Sequence, residues 1–341
     1  MNEEHIHALN SKGILPGGRR VLDLVSTHIS WVLLCSDRAY KIKKPLKLSF
    51  LDFSTLALRK YYVEEELRLN QRLTHDVYLQ TLPVRNLGDR YIIGGDAGEV
   101  IDYALEMVRL DNSREMGVLL KQRRVSAADM DSVAEILRNF HLNTAILHGK
   151  LTANLLYEDY ADIAQIKAFC IDHIGTEGAD LLMDSIKTAE QFLNNMAQLI
   201  LARDAEGFTR DCHGDLHSGN IFLTDEPVLF DCIEFNEHFR QIDILNELAF
   251  FAMDLEFARR QDLSDYFMDA YCAGWDVIRN ESEAELFLFY KLYRANVRVK
   301  VNAFKTMQAN NPETREDRLT LFKDYFKLFC SYHEQLRDFK K

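Results

Sequence analysis

The sequence predicts an α+β fold in which a small, β-rich N-terminal lobe precedes a larger, mainly helical C-terminal lobe. Strand-like segments rich in β-branched and aromatic residues occur before about residue 108. Beyond residue 125, apolar residues recur at spacings of three and four over long segments, as in amphipathic helices. We therefore expect one lobe over residues 1–107 and a second over residues 108–341.

The N-terminal lobe is predicted to contain three strands and one helix. The strands are expected at 28–36, 38–44 and 99–108. Residues 54–73 place apolar side chains at helical spacing, which predicts a helix between the second and third strands. Ser54 is its predicted N-cap, because a serine side chain can accept a hydrogen bond from the first helical turn.

The C-terminal lobe is predicted to consist of helical segments interrupted by one polar hairpin. The interruption is at 206–235, where the residues indicate a loop, a short strand at 220–223, a turn and a second strand at 228–233. The helical segments are expected at 126–149, 158–173, 177–204, 241–257, 262–279, 282–308 and 315–338.

The composition indicates a folded protein without a broad basic surface. Its hydrophobic content of 47% can fill a substantial core, and its formal net charge of -12 argues against binding nucleic acid or an anionic membrane. The first ten residues lack the pattern of a signal peptide, and the longest apolar run, LAFFAM at 248–253, is too short to span a bilayer. The six cysteines form no Cys-x-x-Cys pair. We therefore expect a soluble cytoplasmic protein with reduced thiols.

The segment DCHGDLHSGNIFL, residues 211–223, has the composition of a catalytic loop. Asn220 begins one predicted strand of the hairpin and Asp231 lies near the end of the other, so the two side chains are expected side by side. Two oxygen ligands at one place suit Mg²⁺, which completes its shell with water and phosphate oxygens. Asp215, five residues before Asn220, then remains available to accept a proton from an attacking hydroxyl.

The pattern His213-x-Asp215-x-x-x-x-Asn220, followed by a hairpin to Asp231, resembles the catalytic loop of a family of small-molecule kinases. This family is the aminoglycoside phosphotransferase and choline kinase branch of the protein-kinase-like fold. The resemblance implies a two-lobed kinase-like fold that binds ATP and Mg²⁺ and phosphorylates a hydroxyl group of a small molecule. It also implies that Asp215 is the catalytic base and that His213 supports the loop backbone. Asn220 and Asp231 are implied to hold Mg²⁺.

Two longer stretches, 26–70 and 210–256, resemble an uncharacterised bacterial subgroup of this family that is often fused to a P-loop kinase domain. The sequence contains no G-x-x-x-x-G-K-[ST] motif, so we expect that second domain to be absent here. In kinase-like folds an acid on a following helix anchors the catalytic loop, and Asp243 resembles that acid. Arg240 is expected to form an ion pair with Asp243 or with Glu234, and a structural ion pair is the default expectation for both Arg240 and Asp243.

The predicted strand at 38–44 is the expected source of the cation that a kinase places on the nucleotide phosphates. Side chains alternate along a strand, so Lys41 and Lys43 share one face; we favour Lys41 as the phosphate contact, with Lys43 as the alternative. A lysine in this role is steadied by a helix glutamate. Among three consecutive glutamates in the predicted helix, Glu66 is favoured because it shares a helical face with Asn70.

Further contacts with the nucleotide are implied by the resemblance. The residues STHIS at 26–30 stand where many kinases have a glycine-rich phosphate loop. Ser30 is therefore expected to offer its hydroxyl or its backbone N–H group to phosphate, and a simple strand start is the alternative. Glu106 and Val108 lie where the hinge of the family binds adenine through backbone groups.

Two other functions fit parts of the sequence. Gly-Asp-x-His occurs in metallophosphoesterases, where His213, Asp215 and His217 would bind metal, but such enzymes also need an Asn-His pair, which the sequence lacks. A kinase-like module that binds nucleotide without turnover is the second alternative, because the glycine-rich loop is missing. The run FYKLYRANVRVK at 289–300 is expected either to line the acceptor pocket or to pack as an amphipathic helix, and His141 is expected to be a core histidine.

Overall fold

The structure is a computed structural model that describes residues 1–48, 51–74, 76–88, 90–309 and 311–338. Its contacts divide the chain into two compact units. The first unit comprises Met1–Leu119 and Gly219–Phe239, and the second comprises Leu120–Ser218 and Arg240–Lys341. The predicted polar hairpin thus belongs to the same unit as the N-terminal strands, although it follows many helices in the chain.

Most strands of the described residues lie in the first unit. They are β1 (Asp23–Ser26), β2 (Ser30–Leu34), β3 (Arg38–Lys43), β4 (Lys47–Leu48), β5 (Leu51–Asp52), β6 (Tyr78–Asn86), β7 (Tyr91–Ile93), β8 (Glu99–Val108), β9 (Thr209–Asp211), β10 (Ile221–Phe222), β11 (Val228–Leu229) and β12 (Gln241–Asp243). Six of them form an antiparallel sheet in the order β1-β2-β3-β8-β6-β7. The pairs β4–β5, β10–β11 and β9–β12 form separate two-stranded sheets, of which the last is in the second unit.

Most helices lie in the second unit. Those of the described residues are α1 (Glu3–Lys12), α2 (Leu56–Asn70), α3 (Met116–Lys121), α4 (Ala127–Asn143), α5 (Ala153–Ala161), α6 (Lys167–Ile174), α7 (Thr176–Ala205), α8 (Ile244–Phe257), α9 (Gln261–Cys272), α10 (Glu281–Met307) and α11 (Pro312–Asp338). The antiparallel sheet of the first unit and the mainly helical second unit confirm the predicted α+β fold class.

The predicted elements differ from the observed ones in several places. Strands β2, β3 and β8 lie within the three predicted strand segments, whereas β1, β6, β7 and the helix α1 were not predicted. The segment predicted as one helix at 158–173 contains parts of α5 and α6, which are separated by a 3₁₀ turn. The segment predicted as a helix from residue 241 begins as strand β12, because residues 241–243 pair with β9 before α8 starts.

The six-stranded sheet buries apolar side chains on both faces. On one face, Tyr40 and Ile42 of β3 belong to a core cluster that includes buried residues of α1. On the other face, Ala39 belongs to a cluster that includes a buried residue of α2. Because side chains alternate along a strand, Lys41 and Lys43 point to the same face as Ala39. Both lysines are therefore directed towards α2.

Helix α2 begins at a different cap from the predicted one. Thr55 has an extended backbone, and its Oγ1 accepts a hydrogen bond from the Leu58 N–H at 3.2 Å. The hydroxyl of Ser54 donates to the carboxylate of Asp52 instead, so the prediction of Ser54 as the N-cap was wrong.

The core of the second unit is built around α8 and α10. Helix α10 packs against both α8 and α11, and α4 packs against α9. Every residue of α8 from Ile244 to Leu255 is buried, so polar groups within this stretch need partners inside the protein. None of the helices in the described ranges has both the length and the apolar character needed to cross a membrane.

Candidate functional site

Lys41 and Lys43 of β3 converge on one glutamate of α2. The Lys41 ammonium lies 2.6 Å from Glu66 Oε1 and 2.6 Å from Asp231 Oδ1. The Lys43 ammonium lies 2.6 Å from Glu66 Oε2 and also contacts the carboxylate of Glu234. The first unit therefore gathers two cations and three acids at the sheet face that carries α2.

The two lysines keep the carboxyl group of Glu66 ionised. Its side chain is buried, and burial alone would raise the pKa of the carboxyl group. The charges of Lys41 and Lys43 outweigh burial and lower the pKa of Glu66 to about 2. Glu66 is therefore ionised at neutral pH and can hold both ammonium groups.

The two lysines differ in their access to solvent. The Lys43 side chain is 1% exposed and is enclosed by Glu66, Glu234 and the ring of Phe53. The Lys41 side chain is 13% exposed, and its partner Asp231 is 39% exposed. A ligand in solution can therefore reach the pair of Lys41 and Asp231, whereas Lys43 is shielded.

The β10–β11 hairpin places Asn220 beside the segment that carries Asp231. The Phe230 N–H, one residue before Asp231, donates to the Asn220 carbonyl at 3.1 Å. Asp231 has a φ of +66°, a backbone conformation that residues with side chains rarely adopt. Its N–H donates to the Tyr78 hydroxyl at 3.0 Å, and its carboxylate contacts Lys41. These two contacts hold the acid in a strained but defined position.

Ser30 and Glu106 are buried within the sheet of the first unit. The side chain of Ser30 is buried at the start of β2, and its N–H donates to Thr27 Oγ1 at 3.0 Å. The carboxylate of Glu106 is buried in β8, where it accepts hydrogen bonds from the Tyr40 hydroxyl at 3.0 Å and the Gln80 side chain at 2.7 Å. Neither side chain is presented to solvent.

Val108 is the last residue of β8. Its N–H donates to the Val77 carbonyl at 2.9 Å, so any backbone bond from Val108 to a nucleotide would use its carbonyl oxygen. A surface pocket follows directly after this residue in the same unit. It is lined by Ser36, Arg109, Leu110, Asp111 and Asn112. No pattern in the sequence indicated these pocket residues.

Glu247 of α8 anchors the catalytic-loop segment of the second unit. Its carboxylate accepts hydrogen bonds from the His213 N–H at 3.2 Å and the Gly214 N–H at 2.6 Å. The carboxylate also lies 2.7 Å from His141 Nε2, and His141 Nδ1 lies 2.8 Å from the Tyr271 hydroxyl. Burial opposes ionisation of Glu247, but the hydrogen bond and charge of His141 lower its pKa to about 2. His141 is thus a core histidine with both ring nitrogens engaged, as expected.

Asp243 does not have the anchoring role that the resemblance implied. It caps α8 by accepting a hydrogen bond from the Leu245 N–H at 2.8 Å. Its two carboxylate oxygens pair with the guanidinium of Arg203 at 2.7 and 2.9 Å. Both oxygens of its carboxylate are therefore bonded at the start of α8. Glu247, about one helical turn later, binds the loop at residues 213 and 214 instead.

The expected partners of Arg240 were also wrong. Arg240 Nε donates to Asp211 Oδ1 at 2.8 Å, across the β9–β12 pair. Glu234 in the first unit pairs with Lys43 instead. No local pattern in the sequence indicates either pairing, because both join residues that are far apart in the chain.

Asp215 is partly exposed and ionised. Its side chain is 38% exposed, and its Oδ2 lies 3.6 Å from His217 Nε2. Its N–H donates to His213 Nδ1 at 3.3 Å, which closes the turn of the loop. Burial opposes ionisation, but the charges of His217, Arg298 and His213 lower the pKa of Asp215 well below its ordinary value. Its carboxylate is therefore an accessible hydrogen-bond acceptor, and the imidazole of His217 lies beside it.

Arg294 of α10 supports the same loop from another side. Its Nε donates to Asn246 Oδ1 at 2.6 Å, and its Nη1 donates to the Gly214 carbonyl at 3.2 Å. Its guanidinium also lies 4.8 Å from the centre of the Phe250 ring. The run at 289–300 therefore packs at Arg294 as part of a helix, which was one of the two expectations for this run.

The metal-binding arrangement of a metallophosphoesterase is not formed in the described residues. In that part of the chain, the three side chains close enough to share one ion are His141, Cys212 and Glu247, rather than His213 and its neighbours. His141 and Glu247 are already bonded to each other and to further protein groups. This cluster is therefore a structural network that holds the loop.

Comparison with known sequences identifies a family. Residues 102–280 match the family described as the phosphotransferase enzyme family. Uncharacterized proteins of Mycobacterium tuberculosis and Mycobacterium bovis are 32% identical to the chain over 303 residues, which cover 87% of the chain and 57% of each relative. The chain thus spans little more than half the length of these relatives.

Two solved structures share the fold of the chain. A choline kinase from Cryptosporidium parvum superimposes with a TM-score of 0.55 at 10% identity, over 92% of each chain. An ethanolamine kinase from Plasmodium vivax gives a TM-score of 0.50 at 9% identity, over 91% of this chain and 82% of that one. At such low identity these likenesses concern the architecture, and they confirm the predicted kinase-like fold.

Proposed function

The chain belongs to the phosphotransferase enzyme family, and we propose that it is a kinase that uses ATP and Mg²⁺ to phosphorylate a hydroxyl group of a small molecule. The arrangement of Lys41, Glu66 and Asp231 carries this proposal. In it, a buried glutamate holds a lysine against an acid that a ligand can reach. A kinase needs such a lysine on the nucleotide phosphates and such an acid on the metal ion.

The residues of the hairpin suit Mg²⁺. Asn220 and Asp231 offer an amide oxygen and a carboxylate, which are the hard ligands that this ion prefers. The Asp231 carboxylate is 39% exposed, and Lys41 contacts its Oδ1. When bound, Mg²⁺ supplies positive charge that offsets the charge of the transferring phosphoryl group. Asn220 and Asp231 would hold the ion.

Lys41 is the proposed phosphate contact, and Lys43 is a structural residue in this proposal. The difference in exposure supports this assignment, because a phosphate can approach Lys41 but not the enclosed Lys43. For the adenine ring, the Val108 carbonyl and the adjoining pocket offer backbone groups at the end of β8. The buried side chains of Ser30 and Glu106 have no part in this scheme.

Asp215 takes the proton in the proposed reaction. The acceptor oxygen forms a bond to the γ-phosphorus, the bond from that phosphorus to the β,γ-bridging oxygen breaks, and ADP leaves. The hydroxyl proton passes to Asp215. Because its pKa is low, the carboxylate first orients the hydroxyl and receives the proton late, once the bond to phosphorus makes the hydroxyl acidic. His213 and Gly214, bound to Glu247, keep the loop in place.

Substitution of the proposed base tests this function. The full chain would be incubated with Mg²⁺, ATP labelled at the γ-phosphate and a protein-free extract of small metabolites, and labelled products would be separated from inorganic phosphate. We expect the wild type to label at least one metabolite. Asp215→Asn should bind Mg-ATP with unchanged affinity but transfer label at least about a hundredfold more slowly.

Equal labelling by the wild type and Asp215→Asn would contradict the assigned base. Binding of Mg-ATP with no labelled metabolite in either protein would favour a nucleotide-binding module without turnover.

A further inference from the structure

We infer that the acceptor molecule carries an anionic group, a phosphate or a carboxylate, which Arg298 and Lys305 of α10 bind near Asp215. This inference rests on the proposed function and adds a class of substrate to it. A kinase of this kind would act on hydroxyl compounds that already carry a phosphate or a carboxylate group. It would not act on hydroxyl compounds that carry a cationic amine.

One face of α10 is directed towards the catalytic loop. Arg294, Arg298 and Lys305 follow one another at separations of four and seven residues, so they lie along the same face of the helix. Arg294 donates to the carbonyl of Gly214, the residue before Asp215, at 3.2 Å. Arg298 and Lys305 therefore lie on the same face of α10 as the residue that contacts the loop.

Arg298 has an unused hydrogen-bond donor in this region. Its Nε is buried and has no hydrogen-bond partner among the described residues. Its guanidinium lies 5.0 Å from the centre of the Tyr325 ring, and its charge acts on both Asp215 and Asp254. A buried N–H without a partner is costly, and an anionic oxygen of a ligand would satisfy it.

Lys305 is a cation without an acidic partner. It is half-buried and makes no hydrogen bond or ion pair within the part of the chain that the structure describes. Burial lowers its pKa, as do the charges of Arg298 and Arg318, while Asp215 acts in the opposite direction. Cations held close together in a partly buried place favour an anion as their ligand.

An acid near this face, Asp254, is already bonded to protein groups. Asp254 accepts a hydrogen bond from the Ser218 N–H at 2.8 Å and interacts with Arg298 and Tyr325. A cationic acceptor would therefore have to compete with these contacts, whereas an anionic acceptor meets the Arg298 Nε–H, which has no hydrogen-bond partner among the described residues, and the ammonium of Lys305.

Binding of inorganic phosphate tests the inference. The full chain would first be saturated with Mg²⁺ and AMP-PNP, so that phosphate cannot occupy the proposed nucleotide site, and phosphate would then be titrated by calorimetry. We expect binding that Lys305→Ala weakens at least about tenfold and that Lys305→Arg restores. Lys327→Ala is the matched control, because this lysine of α11 is 76% exposed and, among the described residues, pairs with Asp324 alone; the phosphate affinity of this variant should equal that of the wild type.

Different outcomes separate this inference from the proposed function. If AMP-PNP fails to bind the wild type, the proposed function is wrong. If AMP-PNP binds but phosphate binds equally to the wild type and Lys305→Ala, only the anionic acceptor site is refuted. The anionic acceptor site is also refuted if phosphate does not bind while choline chloride binds. Thermal melting of each variant would verify that it is folded, and Arg298→Lys provides a second substitution if Lys305→Ala does not fold.

Discussion

At the scale of single residues, burial separates the two lysines of β3. Both pair with Glu66, but Lys43 is enclosed with two acids while Lys41 shares an acid that solvent reaches. Removing one partner from a buried ion cluster leaves charge without compensation, and this costs more than the pair itself contributes. The same chemical change at the two positions should therefore affect different properties.

We predict that Lys43→Ala lowers the free energy of unfolding by about 3–5 kcal/mol, because Glu66 and Glu234 remain buried without their shared cation. Lys47→Ala is the control, since Lys47 is exposed and pairs with Asp52 alone in the described part of the chain, and it should change stability by less than about 1 kcal/mol. Urea unfolding at neutral pH measures both values. A loss for Lys43→Ala no larger than that for Lys47→Ala would show that the cluster is not stabilising.

The sequence predicted the residue types of the site better than their partners. Asp215, Asn220 and Asp231 follow a local pattern, and strand alternation placed Lys41 and Lys43 on one face. Alternation cannot rank the two lysines, because their exposure depends on which acids other segments bring to them. Glu234 was missed as a partner of Lys43 for the same reason.

At the scale of elements, α8 is the support of the catalytic loop. A charged residue inside the apolar run ILNELAFFAM, residues 244–253, signals a required partner, since a buried carboxylate must be hydrogen-bonded. That signal points to Glu247, but the resemblance directed attention to Asp243. The partners of Glu247 come from α4 and the loop, which a local pattern cannot identify.

We predict that Glu247→Gln lowers stability at neutral pH and that its effect disappears in acid. The folded pKa of Glu247 is about 2, below the ordinary value of 4.5, so its ionised form stabilises the fold above pH 4.5. This stabilisation is lost as the pH falls from about 4.5 towards about 2, because the unfolded chain takes up the proton first. Urea unfolding over this range should show a difference between wild type and variant that shrinks with falling pH.

A second measurement distinguishes loop anchoring from general stabilisation in the same variant. Amide exchange at residues 213 and 214 should become faster relative to exchange in α2, while the affinity for Mg-ATP stays unchanged. An unchanged exchange rate at the loop, or a difference in stability that does not vary with pH, would contradict the role given to Glu247.

The hairpin of β10 and β11 was predicted from turn residues and short apolar runs, and its position along the chain was confirmed. Helix α2 was confirmed as well, with its start at Thr55 rather than Ser54. Strands β6 and β7 were missed, because their sequence alternates weakly and is interrupted by a proline and by polar residues.

At the scale of the whole molecule, segments that are neighbours in the sequence can belong to different compact units. The hairpin segment Gly219–Phe239 leaves the helical region and joins the first unit, so the proposed metal ligands and Lys41 belong to one unit. Asp215, only five residues before Asn220, belongs to the other. The sequence alone could predict the hairpin and the helical segments. It could not predict which compact unit each belongs to, because that depends on contacts between distant parts of the chain.

The overall charge of the molecule is a poor guide to its acceptor. A net charge of -12 suggests acidic surroundings, yet Arg298 and Lys305 of α10 both interact electrostatically with Asp215. Local placement of a few partly buried cations therefore matters more for substrate choice than the balance of exposed charges.

In the proposed function Mg²⁺ and ATP bind through Asp231, and calorimetric titration of ATP with and without Mg²⁺ can measure this dependence. The wild type should bind ATP at least about tenfold more tightly with Mg²⁺ than with EDTA. Asp231→Asn should lose this difference, whereas Asp225→Asn, an exposed acid in the turn of the same hairpin, should retain it. An ATP affinity that does not depend on Mg²⁺ in the wild type, or an equal dependence in Asp231→Asn, would contradict the account.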